Sequence, residues 1–373
     1  MTNFRIMLLS TAAIGLTAVA VTPASAGEVE KTMSMSGHVA RTVGVVDNGD
    51  TSMFLTDDSN RSQSRMNWNA TAASEEMTFG ANVDLRMDGG GNANGNTPTA
   101  STVSLNYSNV TVSNNMGTLR IGLSDGAGDE YGVHGSSLSG ANGLGMSSSS
   151  GATLGGGFIV KGSGAAGGAE DPTALATTDG NAGFSTGWGN VVRYESPDFN
   201  GFSAMVSLTG GDTRGGGGEI VGANIGYGAD YDGVTVAAHI SGANTDGNST
   251  TQESIWDAGL GIELASGLNF MGAYAEKNMA AGNTQAPDMW MGQIGYDANV
   301  FDAGETAINF TYLQQDEANA DTGDYKAYGI NLTQSLSDYG TSIYAGISQQ
   351  EYDTATVNYE DITAGWVGVK VAF

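Results

Sequence analysis

The chain has 373 residues, a net charge of −27 from 40 acidic and 13 basic residues, no cysteine, and 58 glycines against 5 prolines. Without cysteine there is neither a disulfide framework nor a thiolate metal site, and without clustered Lys and Arg there is no surface for neutralising nucleic-acid phosphates. Glycine at about 16%, against a usual level of about 7%, together with so little proline, points to a large sheet with tight turns and away from disorder.

The first element is a leader. Arg5 precedes an apolar stretch from Ile6 to Val21, and Ala24-Ser25-Ala26 stands ahead of Gly27, the three regions of a secretory signal peptide over residues 1–26. The stretch is short and interrupted by Ser10, Thr11 and Thr17, so it makes a poor spanning helix. All 40 acidic residues lie beyond the leader, whereas Arg5 lies within it. The mature chain is therefore strongly acidic and draws cations to its surface or lumen. After Gly27 there is no long apolar run and the mean hydropathy is −0.16, which excludes a bundle of membrane helices. A closed sheet is the other structure that satisfies its backbone in lipid, and its alternating strands average to such a hydropathy.

From residue 27 to 373 the chain reads as one all-β domain, a transmembrane antiparallel β-barrel. Segments that alternate apolar with small or polar residues are separated by Gly/Asn/Asp/Ser turns. They predict sixteen strands, at 33–46, 61–72, 76–88, 100–112, 117–124, 188–196, 201–209, 219–231, 233–241, 254–265, 267–278, 288–297, 304–315, 324–336, 340–352 and 361–373. In the second, Met66, Trp68 and Ala70 face outward with Arg65, Asn67 and Asn69 inward. In the third, Met77, Phe79, Ala81, Val83, Leu85 and Met87 share one face and Thr78, Asn82, Asp84, Arg86 and Asp88 the other. In the thirteenth, Ile308, Phe310 and Tyr312 oppose Asn309 and Thr311. An even number of strands closes an antiparallel barrel, and sixteen leaves room for an aqueous channel.

Tyr194, Tyr227, Tyr231, Trp256, Tyr274, Trp290, Tyr296 and Tyr312 fall near strand ends, where amphipathic rings prefer the headgroup level. One interval breaks the rhythm. Residues 125–187 hold Gly, Ser, Ala and scattered acids but no strand pattern, and a connection of that length within a barrel is most economically folded back into the lumen. Catalysis has little footing in the sequence. Glu75 and Glu76, or Asp57 and Asp58, are adjacent and so face opposite ways. His38, His134 and His239 form no spaced ligand motif, so no metal site is expected from them, and Gly215–Gly218 lacks the Lys-Ser/Thr of a phosphate loop. A Ser-His-Asp arrangement stays open, although no Gly-x-Ser-x-Gly elbow is present.

Residues 190–208 contain Arg193-Tyr194-Glu195-Ser196-Pro197-Asp198-Phe199-Asn200-Gly201-Phe202, which resembles the strand-turn-strand segment after the constriction loop of Gram-negative general diffusion porins. Ser64-Arg65-Met66-Asn67-Trp68 and Gly117-Thr118-Leu119-Arg120-Ile121-Gly122 resemble the same family at its second strand and at the strand leading into the inward loop. The chain also ends in Phe373, with the parity of Val367, Val369 and Val371, as those porins end. The resemblance implies a sixteen-stranded homotrimeric porin of the bacterial outer membrane, in contact with lipid and lipopolysaccharide. It further implies a third external loop narrowing a water-filled channel for passive diffusion of small hydrophilic solutes and ions, with the terminal aromatic as assembly signal. The chain lacks the family's Pro-Glu-Phe-Gly motif near the loop tip.

The resemblance and the alternation together nominate Arg65, Arg193, Arg120, Arg86 and Lys370 for a basic wall at the constriction. Arg41 joins them only if a bulge turns it inward, because it shares parity with Met33, Met35 and Val39. The acids nominated to face them on the loop are Asp125, Asp129, Glu130, Glu170, Asp171 and Asp179. With acids outnumbering bases more than threefold, mild cation selectivity is expected. No cofactor is called for, although hard-cation chemistry permits calcium in the acidic loops. The competing reading is a secreted or surface β-rich adhesin or S-layer-type protein with calcium-binding loops, which requires burial of both sheet faces and no aromatic girdle.

Overall fold

A computed structural model describes residues 29–47, 49, 52–57, 64–88, 102–128, 136–141, 188–210, 219–245, 252–279, 287–316, 323–353 and 360–373. The leader expected over 1–26 lies outside them. The first six strands are β1 (Glu30–Asp47), β2 (Ser52–Asp57), β3 (Ser64–Ala73), β4 (Thr78–Asp88), β5 (Thr102–Asn114) and β6 (Gly117–Ser124). After the long connection come β7 (Gly189–Glu195), β8 (Phe202–Thr209), β9 (Ile220–Tyr231), β10 (Val234–Thr245), β11 (Gln252–Glu263) and β12 (Leu268–Met279). The last five are β13 (Asp288–Phe301), β14 (Gly304–Asp316), β15 (Asp324–Leu336), β16 (Thr341–Asp353) and β17 (Ile362–Ala372).

From β3 onward every strand pairs antiparallel with the next, and β17 pairs with β1 from Thr363↔Asp47 to Ala372↔His38, so the sheet closes on itself. On its other side β1 pairs with β3 over Glu30–His38 and with β2 over Thr42–Asp47. β2 and β3 therefore share one place in the wall, and seventeen strands make the expected sixteen positions. β2 escapes sequence reading because a six-residue piece has too few residues to show a period. Where it breaks from β3, Ser64 Oγ takes the hydrogen bond from Ala40 N at 3.1 Å that a continuous strand carbonyl would have accepted.

One end of the barrel has only short connections. At Asn200-Gly201 and Asp232-Gly233 both residues have positive φ, 56° and 89° in the first and 52° and 83° in the second. These are the two-residue turns whose twist matches antiparallel strands, and Asn-Gly and Asp-Gly adopt them at least cost. The connections at the other end all run through residues outside those described.

The outer face is a continuous apolar belt. Phe270, Ile294, Phe310, Ile330 and Ile347 are direct cross-strand neighbours over β12 to β16, and each is between 41% and 59% exposed. A soluble sandwich would bury that face against a second sheet. The eight aromatics read from the sequence split into two rings around this belt. Trp256, Tyr274, Trp290 and Tyr312 stand toward the long-loop end, with ring centroids 5.3 Å apart for Trp256–Tyr274 and 4.9 Å for Trp290–Tyr312. Tyr194, Tyr227, Tyr231 and Tyr296 stand toward the short-turn end, where Phe202 packs on Tyr227 at 4.5 Å.

The seam is held from both faces. Gly37 and Phe373 exchange two backbone hydrogen bonds of 2.9 Å, and the Phe373 ring lies where a Cβ on Gly37 would stand. On the inner face Tyr344 covers Gly368 and shares a 2.8 Å hydrogen bond with Thr42 Oγ1, linking β16 to β1 across β17. The single sharp irregularity of β5 is a bulge at Asn106, opposite Asp84/Leu85. It swaps the strand's parity, so that Val103 and Leu105 face outward before it and Val110 after it.

Candidate functional site

The connection between β6 and β7 enters the barrel. Its described parts, 125–128 and 136–141, form a strap against the inner wall, as the sequence pattern implied. At its base Tyr107 donates to Asp125 Oδ2 at 2.7 Å, and Arg193 Nη1 donates to the Asp125 carbonyl at 3.0 Å. Ala127 N then donates to Ser207 Oγ at 2.7 Å on β8, and Ser241 Oγ on β10 lies 3.4 Å from the Gly128 carbonyl. Farther on, Ser137 Oγ donates to Gln293 Oε1 at 2.5 Å, Asn309 Nδ2 to Ser139 Oγ at 3.4 Å, and Gly140 N to Asp297 Oδ2 at 2.6 Å. The strap therefore crosses the inner faces of β7 to β14. Where the chain returns, Trp188 Nε1 donates at 2.9 Å to the Asn106 carbonyl that the β5 bulge displaces.

The middle fastener is a buried Ser-His-Asp chain, the arrangement the sequence left open. Ser136 Oγ lies 2.7 Å from His239 Nδ1, and His239 Nε2 lies 2.8 Å from Asp257 Oδ1. Ser241 Oγ donates to Asp257 Oδ2 at 2.5 Å. Its residue types are those of nucleophilic catalysis, but Ser136 is 1% exposed and both imidazole nitrogens are engaged. A substrate carbonyl has no approach to Oγ, and the chain's work is to pin the loop to β10 and β11.

Arg120 and Arg193 are direct cross-strand neighbours on β6 and β7. Glu195 holds them together. Its Oε1 accepts from Arg120 Nε at 2.9 Å and from Arg193 Nη2 at 2.7 Å, while Arg120 Nη1 reaches Asn109 Oδ1 at 3.1 Å. Arg193 is only 3% exposed, so of this pair it is the pillar under the strap and Arg120 the more open member. Glu195 was not among the nominated acids because those were sought on the loop, although the motif placed it next to Tyr194.

The other nominated bases gather elsewhere on the wall. Arg65 on β3 pairs with Arg86 on β4 and with His38 on β1, and Lys370 on β17 is the diagonal neighbour of His38. The inward row thus runs Lys370, His38, Arg65, Arg86, with all four half-buried. His38 could have been added from parity alone. Beside the row, Asn82 Nδ2 donates to Asn69 Oδ1 at 2.8 Å and to Asn67 Oδ1 at 3.2 Å, an amide ladder on the same inner face. Arg41 does not belong to the row. β1 runs in unbroken register with β17, no bulge turns the residue inward, and it keeps the outward parity of Val39 and Val43. Its Nη1 donates to the Ala40 carbonyl at 2.9 Å and to Ser64 Oγ at 3.4 Å.

Of the nominated loop acids, Asp125 stands at the strap's base beside Arg193. Asp129, Glu130, Glu170, Asp171 and Asp179 lie outside the described residues, as do most of the acidic loop stretches behind the calcium expectation. Among the described residues no three His, Asp or Glu side chains converge as a metal site.

Alternation misjudged one region of the inner wall. Along β11 to β15, Ile255, Met271, Met289, Met291, Leu313 and Tyr325 take the inward parity and form a buried apolar cluster. Met289-Trp290-Met291 and Tyr312-Leu313 are consecutive apolar residues, the signal that both faces of a strand are dry. The nominated bases lie on the other side of the wall, on β3, β4, β6 and β17, where Asn69 is exposed and Arg65, Arg86, Arg120 and Lys370 are half-buried.

A family model described as Gram-negative porin matches residues 10–355. Three similar solved structures cover 92% of this chain each. An anion-selective porin from Comamonas acidovorans is 17% identical, with a TM-score of 0.63 and 100% of its chain covered. OmpT of Vibrio cholerae in a trimer form is 12% identical, with a TM-score of 0.55 and 99% covered. A mutant of the Rh. blastica porin is 17% identical, with a TM-score of 0.53 and 100% covered. At these identities the likeness concerns the fold. No curated protein sequence matches the chain.

Proposed function

The chain belongs to the Gram-negative porin family, a transmembrane β-barrel channel of the outer membrane, and from that premise we propose that it passes small hydrophilic solutes and ions by diffusion and catalyses no reaction. The observation that carries this reading is the strap. Its described parts are bonded along the inner faces of β7 to β14, and the rest of the inner face carries the charged row Lys370, His38, Arg65 and Arg86, a polar lining that suits a narrowed aqueous channel. Uncharged sugars of increasing size should enter liposomes bearing the protein at rates that fall steeply with size. Size-independent exclusion of all of them would refute the reading.

The leader directs export, and the barrel assembles as a homotrimer, the state named for the similar Vibrio cholerae structure. Lipid and lipopolysaccharide surround the outer belt. Ion preference is mildly cationic. The chain's 40 acids against 13 bases raise the local cation concentration, while the row of Lys370, His38, Arg65 and Arg86 moderates the effect inside. The Comamonas porin is named for the opposite preference, at an identity that speaks for fold alone. Arg65→Glu reverses one charge in the row and is expected to move the reversal potential in a salt gradient toward cations. An unchanged potential would place Arg65 outside the conducting path.

A further inference from the structure

The inner wall carries glycines where the strap touches it, and at two of them the loop's backbone occupies the space of the missing side chain. A Cβ on Gly222 of β9 would lie 2.8 Å from Gly128 N, and one on Gly261 of β11 only 1.8 Å from the Ser136 carbonyl oxygen. A Cβ on Gly259 would meet first the His239 ring and then the Ser136 hydroxyl at 3.2 Å, and one on Gly295 of β13 first the Asn269 amide and then Ser139 Oγ at 3.0 Å, so at these two a wall side chain lies between the glycine and the loop. By contrast Gly272 and Gly292, on the outward parity, have nothing within 4 Å. At Gly222 and Gly261 the occupant is the loop's own backbone, and the loop is also fixed by hydrogen bonds to Ser207, His239, Gln293 and Asp297 on the same strands or their neighbours.

We propose that Gly222 and Gly261 form a track that sets the bore of the channel, by letting the strap's backbone lie directly on the wall, while Gly259 and Gly295 make room for the His239 and Asn269 side chains that meet the strap's serines. The glycines are positioning residues for permeation, with Ser136–His239–Asp257 as the central fastener. This rests on the porin reading. The physics is simple. The wall strands are fixed by ladders on both sides, so a methyl group on the track cannot be absorbed by the barrel. The loop must rise into the lumen, and at Gly261 restoring a 1.8 Å approach to ordinary contact demands a displacement of more than 1 Å away from the wall.

The test uses the full mature protein in planar bilayers of potassium chloride solution, comparing unit conductance with the temperature at which the folded form loses its distinct gel mobility. Gly261→Ala is expected to lower unit conductance by an amount on the order of tens of per cent while the native gel form persists. Gly272→Ala, its outward counterpart, should conduct as the parent does. His239→Ala removes the fastener without adding bulk and should raise open-channel noise. Should Gly261→Ala not fold, Gly222→Ala is read by the same criterion. A track variant that folds and conducts like the parent overturns the proposal, as does an equal fall in Gly272→Ala. A parent protein without conductance refutes the porin reading instead.

Discussion

Replacing Glu195 by glutamine should destabilise the barrel by about 3 kcal/mol, the scale of stripping the counter-charge from a largely buried ion pair. Two guanidiniums that face each other across β6 and β7 share this carboxylate, and neither strand can move away without breaking its ladder. Arg193 is 3% exposed and is the group that holds the Asp125 carbonyl at the strap's base, so the damage should spread to the loop. Denaturant unfolding in detergent measures the first effect and open-channel noise the second. A further change, Arg120→Gln in the same protein, removes the repulsion and should recover part of the stability. Glu195→Gln with unaltered stability would mean that water already screens the pair.

An arginine placed on the outer belt should be about as harmful. Ile294 lies between Phe270 and Phe310 in direct register, 46% exposed, on β13 between Trp290 and Tyr296. Ile294→Arg should cost about 2–4 kcal/mol of folding free energy in bilayers, the penalty for a guanidinium near the midplane of a barrel's lipid face. Asn69→Arg, on the inner parity, should leave stability nearly unchanged and shift ion preference toward anions. If the two variants unfold alike in lipid vesicles, the assignment of faces fails.

The fold was legible in the sequence to the degree that one period governed each strand. Alternation placed Phe79, Val83, Ile308 and Phe310 outward, whereas Gly201 and Gly233, read as the first residues of strands, belong to the two-residue turns that precede them. It failed where a local event resets the period. The bulge at Asn106 exchanges the faces of β5, and the break between β2 and β3 inserts residues that a continuous count reads as loop. It also failed where water is absent on both sides, at Met289-Trp290-Met291, because the rule that the inner face is polar assumes a wet lumen.

The site was partly legible. The resemblance and the alternation nominated Arg65, Arg193 and the loop, which lie on the inner side, but Arg41 was nominated with them on the condition of a bulge that β1 does not contain. What sequence could not supply was partnership. His239 and Asp257 are paired by strand register, and Ser136 meets them only because the loop crosses β10 and β11. Likewise the inward glycines look like any others in a chain with 58 of them, and only the position of the Ser136 carbonyl singles out Gly261.

The measurement that reaches furthest is a bilayer recording of the purified polypeptide 27–373. An oily exterior around a hydrated, loop-narrowed bore predicts that it stays in solution only with detergent and inserts to give uniform current steps that persist without an applied gradient of any ligand. A preparation that is soluble on its own and leaves the bilayer silent would contradict the account.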